Sequence, residues 1–194
     1  MPFSERQQQI IEESINIIAK EGLEALTTKR ISRRIGISEA ALYRHFESKA
    51  HILLGILNYF EKRASDLLEK VCKQEISALE KLRSLLQNRC YDFIKNPAMI
   101  TIILSEELFP QDSRLSKKVY EIMQMNRNFI ERIIEEGQQC GQIRNDFPKE
   151  ALFFLIIGPF RFMVARWRLS GFKNDLKKEF DNFWVVLEKI LRKD

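Results

Sequence analysis

Apolar positions recur every three to four residues along almost the whole chain, and that period predicts helices. Ile10, Ile11, Ile15, Ile17 and Ile18 give a first helix its buried stripe. Ser4, with Gln7 three residues on, predicts a capping box at its start, and Gly22 its end. Thr27 or Thr28 is placed to cap a second helix, in which Ile31 and Ile35 stand four apart and face a core. Gly36 follows as the stop, where a left-handed backbone costs glycine nothing. Ser38 caps a third helix with Leu42 and Phe46 four apart, and Ser48 opens a fourth that reaches about residue 73. Further helices are expected over about residues 76–95 and 96–109 (from Asn96-Pro97 to near Phe109-Pro110). The last three are expected over about residues 112–139, 146–169 and 174–191, with Gly141 and Gly171 as stops after the first two. Gly158-Pro159 lies inside one of these apolar stretches, where proline removes a helix hydrogen bond and predicts a kink. No segment alternates apolar and polar residues between turn signals, so no strand is expected. The class is all-α, with about nine helices.

The corner at residues 27–49 carries more than a fold. Two short helices meet at Gly36-Ile37-Ser38, and small Ala40 and Ala41 permit close backbone approach. With Ile31, Ile35, Leu42 and Phe46 turned inward, Lys29, Arg30, Arg33 and Arg34 remain outside on one helix, and Glu39, Tyr43, Arg44 and His45 on the next. Residues 29–49 hold a net charge of +4, residues 1–28 a net of −3, and the other 145 residues +4 between them. Positive charge is densest at the corner, as phosphate neutralisation requires. A charge run alone is more often a solvated helix face; caps, spacing and Leu42-Tyr43-Arg44-His45-Phe46 together point to a helix-turn-helix that binds DNA.

Thr27-Thr28, the Ile31/Ile35 pair, Gly36-Ile37-Ser38, Leu42-Tyr43-Arg44-His45-Phe46 and Ser48-Lys49 closely resemble the signature of TetR-type transcriptional regulators. Ser32 departs from the usual alanine, and Ala40-Ala41 stand where a glycine often precedes the residue before Leu-Tyr. Both exchanges keep a small side chain. The resemblance implies a three-helix DNA-binding domain over residues 1–47 and a larger helical domain for effector binding and dimerisation over residues 48–194. It implies that Thr28, Tyr43, His45 and Lys49 contact phosphates, with Lys29 and Arg33 adding charge. Ser38, Glu39, Ala40 and Arg44 would then lie at the start of the recognition helix or near base edges. Arg44 alone among these can bond guanine in bidentate fashion. Residues 38–46 also look like TetR-type nucleoid-occlusion proteins, DNA-bound adaptors that need no small effector.

In the larger part, Tyr59, Phe60, Leu86, Cys90, Ile94, Met99, Ile102, Ile103, Met123, Phe129, Phe153 and Phe160 are candidates to line an effector cavity. Plain core packing is the alternative for each, because aromatic and methionine stripes at helical spacing normally pack. The resemblance implies a small effector, and the scarcity of charge on these faces makes it hydrophobic. Phe162, Val164, Trp167, Phe180, Phe183, Trp184 and Leu187 give the last two helices more apolar area than one face needs. The resemblance makes that pair a homodimer contact of two-fold symmetry. A two-fold dimer suits a palindromic site on double-stranded DNA, its recognition helices about one helical turn (~34 Å) apart.

Composition narrows little further. Hydrophobic residues make up 45% and charged residues 30%, as in ordinary globular proteins, and the net charge is +5. Cys72, Cys90 and Cys140 lie far apart without metal-site spacing, so packed thiols in a reducing compartment are expected and no metal. The start of the chain is polar, and the most apolar run, residues 151–160, is half of the ~20 residues a membrane span needs. A cytoplasmic location without membrane contact follows as the expectation. His45 and His51 are the only histidines, no phosphate loop or nucleophile elbow is present, and neither a cofactor nor an enzymatic activity is expected.

Overall fold

The computed structural model describes residues 3–104 and 112–192. Among these it contains nine α-helices and one short 3-10 turn, and no strand. The helices are α1 (Glu5–Glu21), α2 (Thr28–Ile35), α3 (Glu39–Tyr43), α4 (Lys49–Cys72) and α5 (Ala78–Lys95). They continue with α6 (Pro97–Ile103), α7 (Ser113–Gln139), α8 (Lys149–Leu169) and α9 (Leu176–Leu191). By packing they fall into two compact units, residues 1–62 with 96–121, and residues 63–95 with 122–194.

In the first unit the caps act as the residues require. Ser4 Oγ accepts from the Gln7 amide at 3.2 Å while Gln7 Oε1 accepts from the Ser4 amide at 3.0 Å. Thr27, not Thr28, caps α2, accepting from the Arg30 amide at 3.2 Å. Gly36 sits in the left-handed region at φ 70° and ends α2, and the Ile37 amide reaches back to the Ser32 carbonyl at 3.0 Å. Ser38 Oγ accepts from Ala41 N and Ser48 Oγ from His51 N, opening α3 and α4. α3 is short, but its winding continues one turn, since the Phe46 amide bonds the Leu42 carbonyl at 3.1 Å. The core joins Ile10, Ile11, Ile17 and Ile18 of α1 to Ile31, Leu42 and Phe46. Ile52, Leu53, Ile56 and Leu57 of α4 are buried as well; Ile35 is only half-buried. Gly55 permits a close approach on α4: a Cβ there would stand 3.0 Å from the Phe46 ring and 3.3 Å from Ile11. α6 packs on α1 in the same unit and ends at Ile103, short of the expected 109. The predicted stop at Phe109-Pro110 lies outside the described residues.

The second unit is built on α5, α8 and α9. α5 starts at Ala78 rather than 76 because Ser77 and Glu80 cap it reciprocally. The Ser77 amide donates to Glu80 Oε2 at 3.0 Å and the Glu80 amide to Ser77 Oγ at 3.2 Å. The Ser77 hydroxyl also donates to Glu80 Oε2 at 2.6 Å, and this bond first, with that of the Ser77 amide, holds the Glu80 carboxyl below its ordinary pKa. Asp175 caps α9 by accepting from the Lys178 amide at 3.0 Å. Rings of Phe93, Phe160, Phe180 and Trp184 run through the core at centroid spacings of 6.5, 6.3 and 6.4 Å, a spacing at which aromatic pairs attract. Gly137 lets α7 close on α5: a Cβ would fall 2.6 Å from Ile143 Cδ1 and 2.8 Å from Ala78 Cβ. α8 runs unbroken through Pro159, and Gly158 and Pro159 both lie on its exposed side.

Candidate functional site

The α2–α3 corner separates its cations into two sets. Arg30 pairs with Glu21, and Arg34 reaches Glu13 at 3.1 Å and Glu21 at 2.5 Å, so the acidic face of α1 neutralises these two arginines. Lys29, Arg33 and Arg44 are exposed, with no carboxylate within ion-pair distance among the described residues, and half-buried Lys49 stands at the start of α4. The sequence counts all four α2 cations as outward; the structure leaves half of them for an anionic partner.

The polar side chains of the corner are also engaged. Thr28 Oγ1 donates to Glu39 Oε2 at 2.8 Å and accepts from the Tyr43 hydroxyl at 3.4 Å. Thr28, Glu39 and Tyr43 therefore form one chain of hydrogen bonds across α2 and α3. Tyr43 is 47% exposed, and Ala40 and His45 are exposed too. Ser38 is exposed, with its hydroxyl used as the α3 cap. The corner thus presents Lys29, Arg33, Ala40, Tyr43, Arg44 and His45 on one compact piece of chain, with Glu39 held by Thr28. Positive side chains with an aromatic hydroxyl and one carboxylate suit phosphate oxygens and base edges.

The candidate cavity residues divide between the two units. Tyr59, Phe60, Met99 and Ile103 belong to the first, where Tyr59 and Phe60 lie with ring centroids 5.8 Å apart. Leu86, Cys90, Ile94, Met123, Phe129, Phe153 and Phe160 belong to the second. Phe60, Leu86, Cys90, Met99, Phe153 and Phe160 are buried, and Phe160 is a member of the ring core. Tyr59, Ile103 and Phe129 are half-buried, the Phe129 ring facing the Arg132 guanidinium at 6.0 Å. Ile94 and Met123 are exposed and so do not line an interior of the single chain; each falls on the outward side of its helix. Cys90 lies in apolar packing that pushes its thiol up to about 12.

Two polar residues of the second unit escaped the sequence reading. Arg89 stands four residues after Leu85, three after Leu86 and four before Phe93, all buried, so it interrupts the inward stripe of α5. Its Nη2 donates to Asn126 Oδ1 at 2.8 Å, and Asn126, four residues from buried Ile122 and Ile130, interrupts the inward stripe of α7. The period broken by a charge was the signal available in the sequence.

The candidate dimer residues are mostly turned inward. Trp167, Phe180, Trp184 and Leu187 are buried in the chain's own core, Phe183 is half-buried, and Phe162 is 67% exposed. The indoles are further tied down, Trp167 Nε1 to the Asn174 carbonyl and Trp184 Nε1 to Glu188 Oε2. Of the large apolar residues that α8 leaves outside, Leu155, Phe162 and Leu169 stand seven residues apart and hence on one side, and Phe154 is exposed as well; α9 leaves Val185, Val186 and Ile190.

Residues 10–56 match the family described as bacterial regulatory proteins, tetR family, and residues 60–189 match the C-terminal region of the YsiA-like protein. Among curated relatives, the nucleoid occlusion factor SlmA of Vibrio atlanticus is 27% identical over 185 residues, 95% of this chain and 94% of its own. That of Vibrio cholerae is 24% identical over 183 residues, 94% of this chain and 93% of its own. Among solved structures, the fatty acid degradation regulator FadR of Bacillus halodurans superposes with a TM-score of 0.84 at 18% identity, covering 96% of both chains. A transcriptional regulator FadR from Bacillus subtilis in complex with stearoyl-CoA gives 0.78 at 22% identity, covering 95% of this chain and 99% of that one. The structural likenesses establish the fold. No helix among the described residues is long and apolar enough to cross a membrane.

Proposed function

This chain belongs to the tetR family of bacterial regulatory proteins, and from that premise we propose that it is a ligand-released transcriptional repressor. Two copies bind a palindromic operator on double-stranded DNA, and a small hydrophobic or amphipathic effector lifts them off. Residues 1–47 form the DNA-binding part and residues 48–194 the part for effector and dimer contacts. The protein acts in the cytoplasm and catalyses no reaction of its own. The observation that carries this reading is the corner itself, where Lys29, Arg33 and Arg44 stay unpaired among the described residues while Arg30 and Arg34 are neutralised.

On DNA, Lys29, Arg33, Tyr43, His45 and Lys49 serve phosphates, and Arg44 and the first residues of α3 face base edges. Thr28 acts through Glu39 and Tyr43, which it holds. The exposed strip of Leu155, Phe162 and Leu169 on α8, with Val185, Val186 and Ile190 on α9, supports the dimer contact. The regulator bound to stearoyl-CoA supports an effector with a long apolar part. Release works as a population shift, limited to the effector's differential affinity for operator-competent and incompetent states.

A second reading is favoured by the relatives named nucleoid occlusion factor, which match nearly the whole chain. On it the protein is a DNA-bound adaptor acting on another protein, with no effector. Mapping its sites on the chromosome tests both. One or a few promoter sites support the regulator, and dozens of dispersed sites support the adaptor.

A further inference from the structure

The geometry points to Arg89 as the anchor for a carboxylate on the effector, which makes that effector an apolar acid rather than a neutral hydrocarbon. This deepens the ligand-released reading and rests on it.

Arg89 is set where a leucine would be expected. Leu85, Leu86 and Phe93 flank it on the inward stripe of α5, and Asn126, its partner, lies between buried Ile122 and Ile130 on α7. A guanidinium has five N–H donors. Asn126 Oδ1 takes one at 2.8 Å, and the Asn126 amide donates to the Ile122 carbonyl at 2.7 Å. No carboxylate lies within ion-pair distance of Arg89 among the described residues; Asp92, three residues on, engages Arg63 at 3.5 Å. Packing around the guanidinium removes water from it and lowers its pKa, chiefly by desolvation, with Asp92 opposing from farther off. Yet the residue keeps accessible surface, and no side-chain nitrogen among the described residues is sealed without a partner. A crowded cation with open donors and only a neutral amide beside it is stabilised by an incoming anion. Arg and carboxylate match in bidentate geometry, and the desolvation already incurred makes the pair strong. Leucine, phenylalanine and isoleucine neighbours leave an apolar tail as the fitting remainder of the ligand.

The test uses the full-length protein and straight-chain fatty acids of four to eighteen carbons, each with its methyl ester and alcohol. Binding is read by fluorescence of Trp167 and Trp184, and operator release separately. The expected result is that at least one acid binds tenfold or more tighter than its ester. Arg89→Met then removes this preference while retaining ester binding, and Arg89→Lys keeps part of it. Arg89→Met should also melt no lower than the parent without ligand, because an apolar side chain replaces a poorly compensated cation. A lower melting point, equal binding of acid and ester, an acid preference surviving Arg89→Met, or no binding by any acid overturns the assignment. If acids bind selectively through Arg89 but never release operator, the anchor stands and the ligand-released reading falls. If esters release operator as acids do, that reading stands and the anchor falls.

Discussion

The Thr28 hydroxyl donates to the Glu39 carboxylate at 2.8 Å, joining the start of α2 to the start of α3. A side chain bound in this way cannot at the same time give its proton to a phosphate. Thr28 therefore fixes where Glu39 points. Thr28→Val should weaken operator binding, and Glu39→Gln should change base preference near the first residues of α3. The two substitutions together should deviate from additivity by about 0.5–1.5 kcal/mol, the range for groups sharing one hydrogen bond. A double-mutant cycle by gel shift measures this, and strict additivity would count against coupling.

Arg33 and Arg34 are neighbours with different work. Arg34 is tied to Glu13 and Glu21, while Arg33 has no ion pair among the described residues. Arg33→Ala should reduce the slope of log affinity against log salt by ~0.9, one released counterion, and leave folding stability nearly unchanged. Arg34→Ala should leave the slope unchanged and lower stability by about 0–1 kcal/mol, the ordinary range of partly exposed pairs. Tyr43→Ala and Lys49→Ala should weaken binding to all sequences alike. Arg44→Ala should relax preference at one base pair, worth ~1–3 kcal/mol. Affinity titrations over a salt series, on operator and scrambled duplexes, separate these outcomes.

This contrast shows where sequence reading stops. Caps and glycine stops are local, so Ser4, Ser38, Ser48 and Gly36 could be placed from their own neighbours, and the structure confirms each. Pairing is not local. Glu21 lies nine residues before Arg30, and only the packing of α1 on α2 brings them together. The same limit explains Trp184. A stripe of large apolar residues tells that a face is covered, but not whether by the chain's own core or by a second copy, and here the core takes Trp167, Phe180, Trp184 and Leu187. Arg89 illustrates the converse, a charge passed over because its neighbours made the stripe look complete.

The three cysteines should differ sharply in reactivity. Cys140 is exposed, Cys72 is half-buried with its pKa raised chiefly by burial, and Cys90 is buried with its pKa pushed up to about 12. Thiolate is the reactive form, and a raised pKa leaves almost none of it at Cys90 at pH 8. Alkylation of the native protein at pH 8 should modify Cys140 first, Cys72 more slowly, and Cys90 only on unfolding. Mass spectrometry over a time course reads the order. Early modification of Cys90 would contradict its packing.

Phe162 and Trp184 separate the proposed dimer contact from the core. Phe162 is 67% exposed on the α8 strip that also holds Leu155 and Leu169, whereas Trp184 is 2% exposed and donates its indole N–H to Glu188. On the proposed dimer contact, Phe162→Glu puts a charge where each copy meets its own image and the carboxylate appears twice. It should convert the dimer to a folded monomer, with an unchanged helical spectrum and loss of tight binding to the full palindrome. Binding to a half-site should be far less affected. Trp184→Ala should instead lower stability by ~3–5 kcal/mol through the cavity left among Phe180 and its neighbours. Since that loss falls within the fold of one chain, it should show in denaturation at every protein concentration. Sedimentation equilibrium on both variants, with denaturation at two protein concentrations, distinguishes them. A dimer that survives Phe162→Glu would move the contact away from this strip.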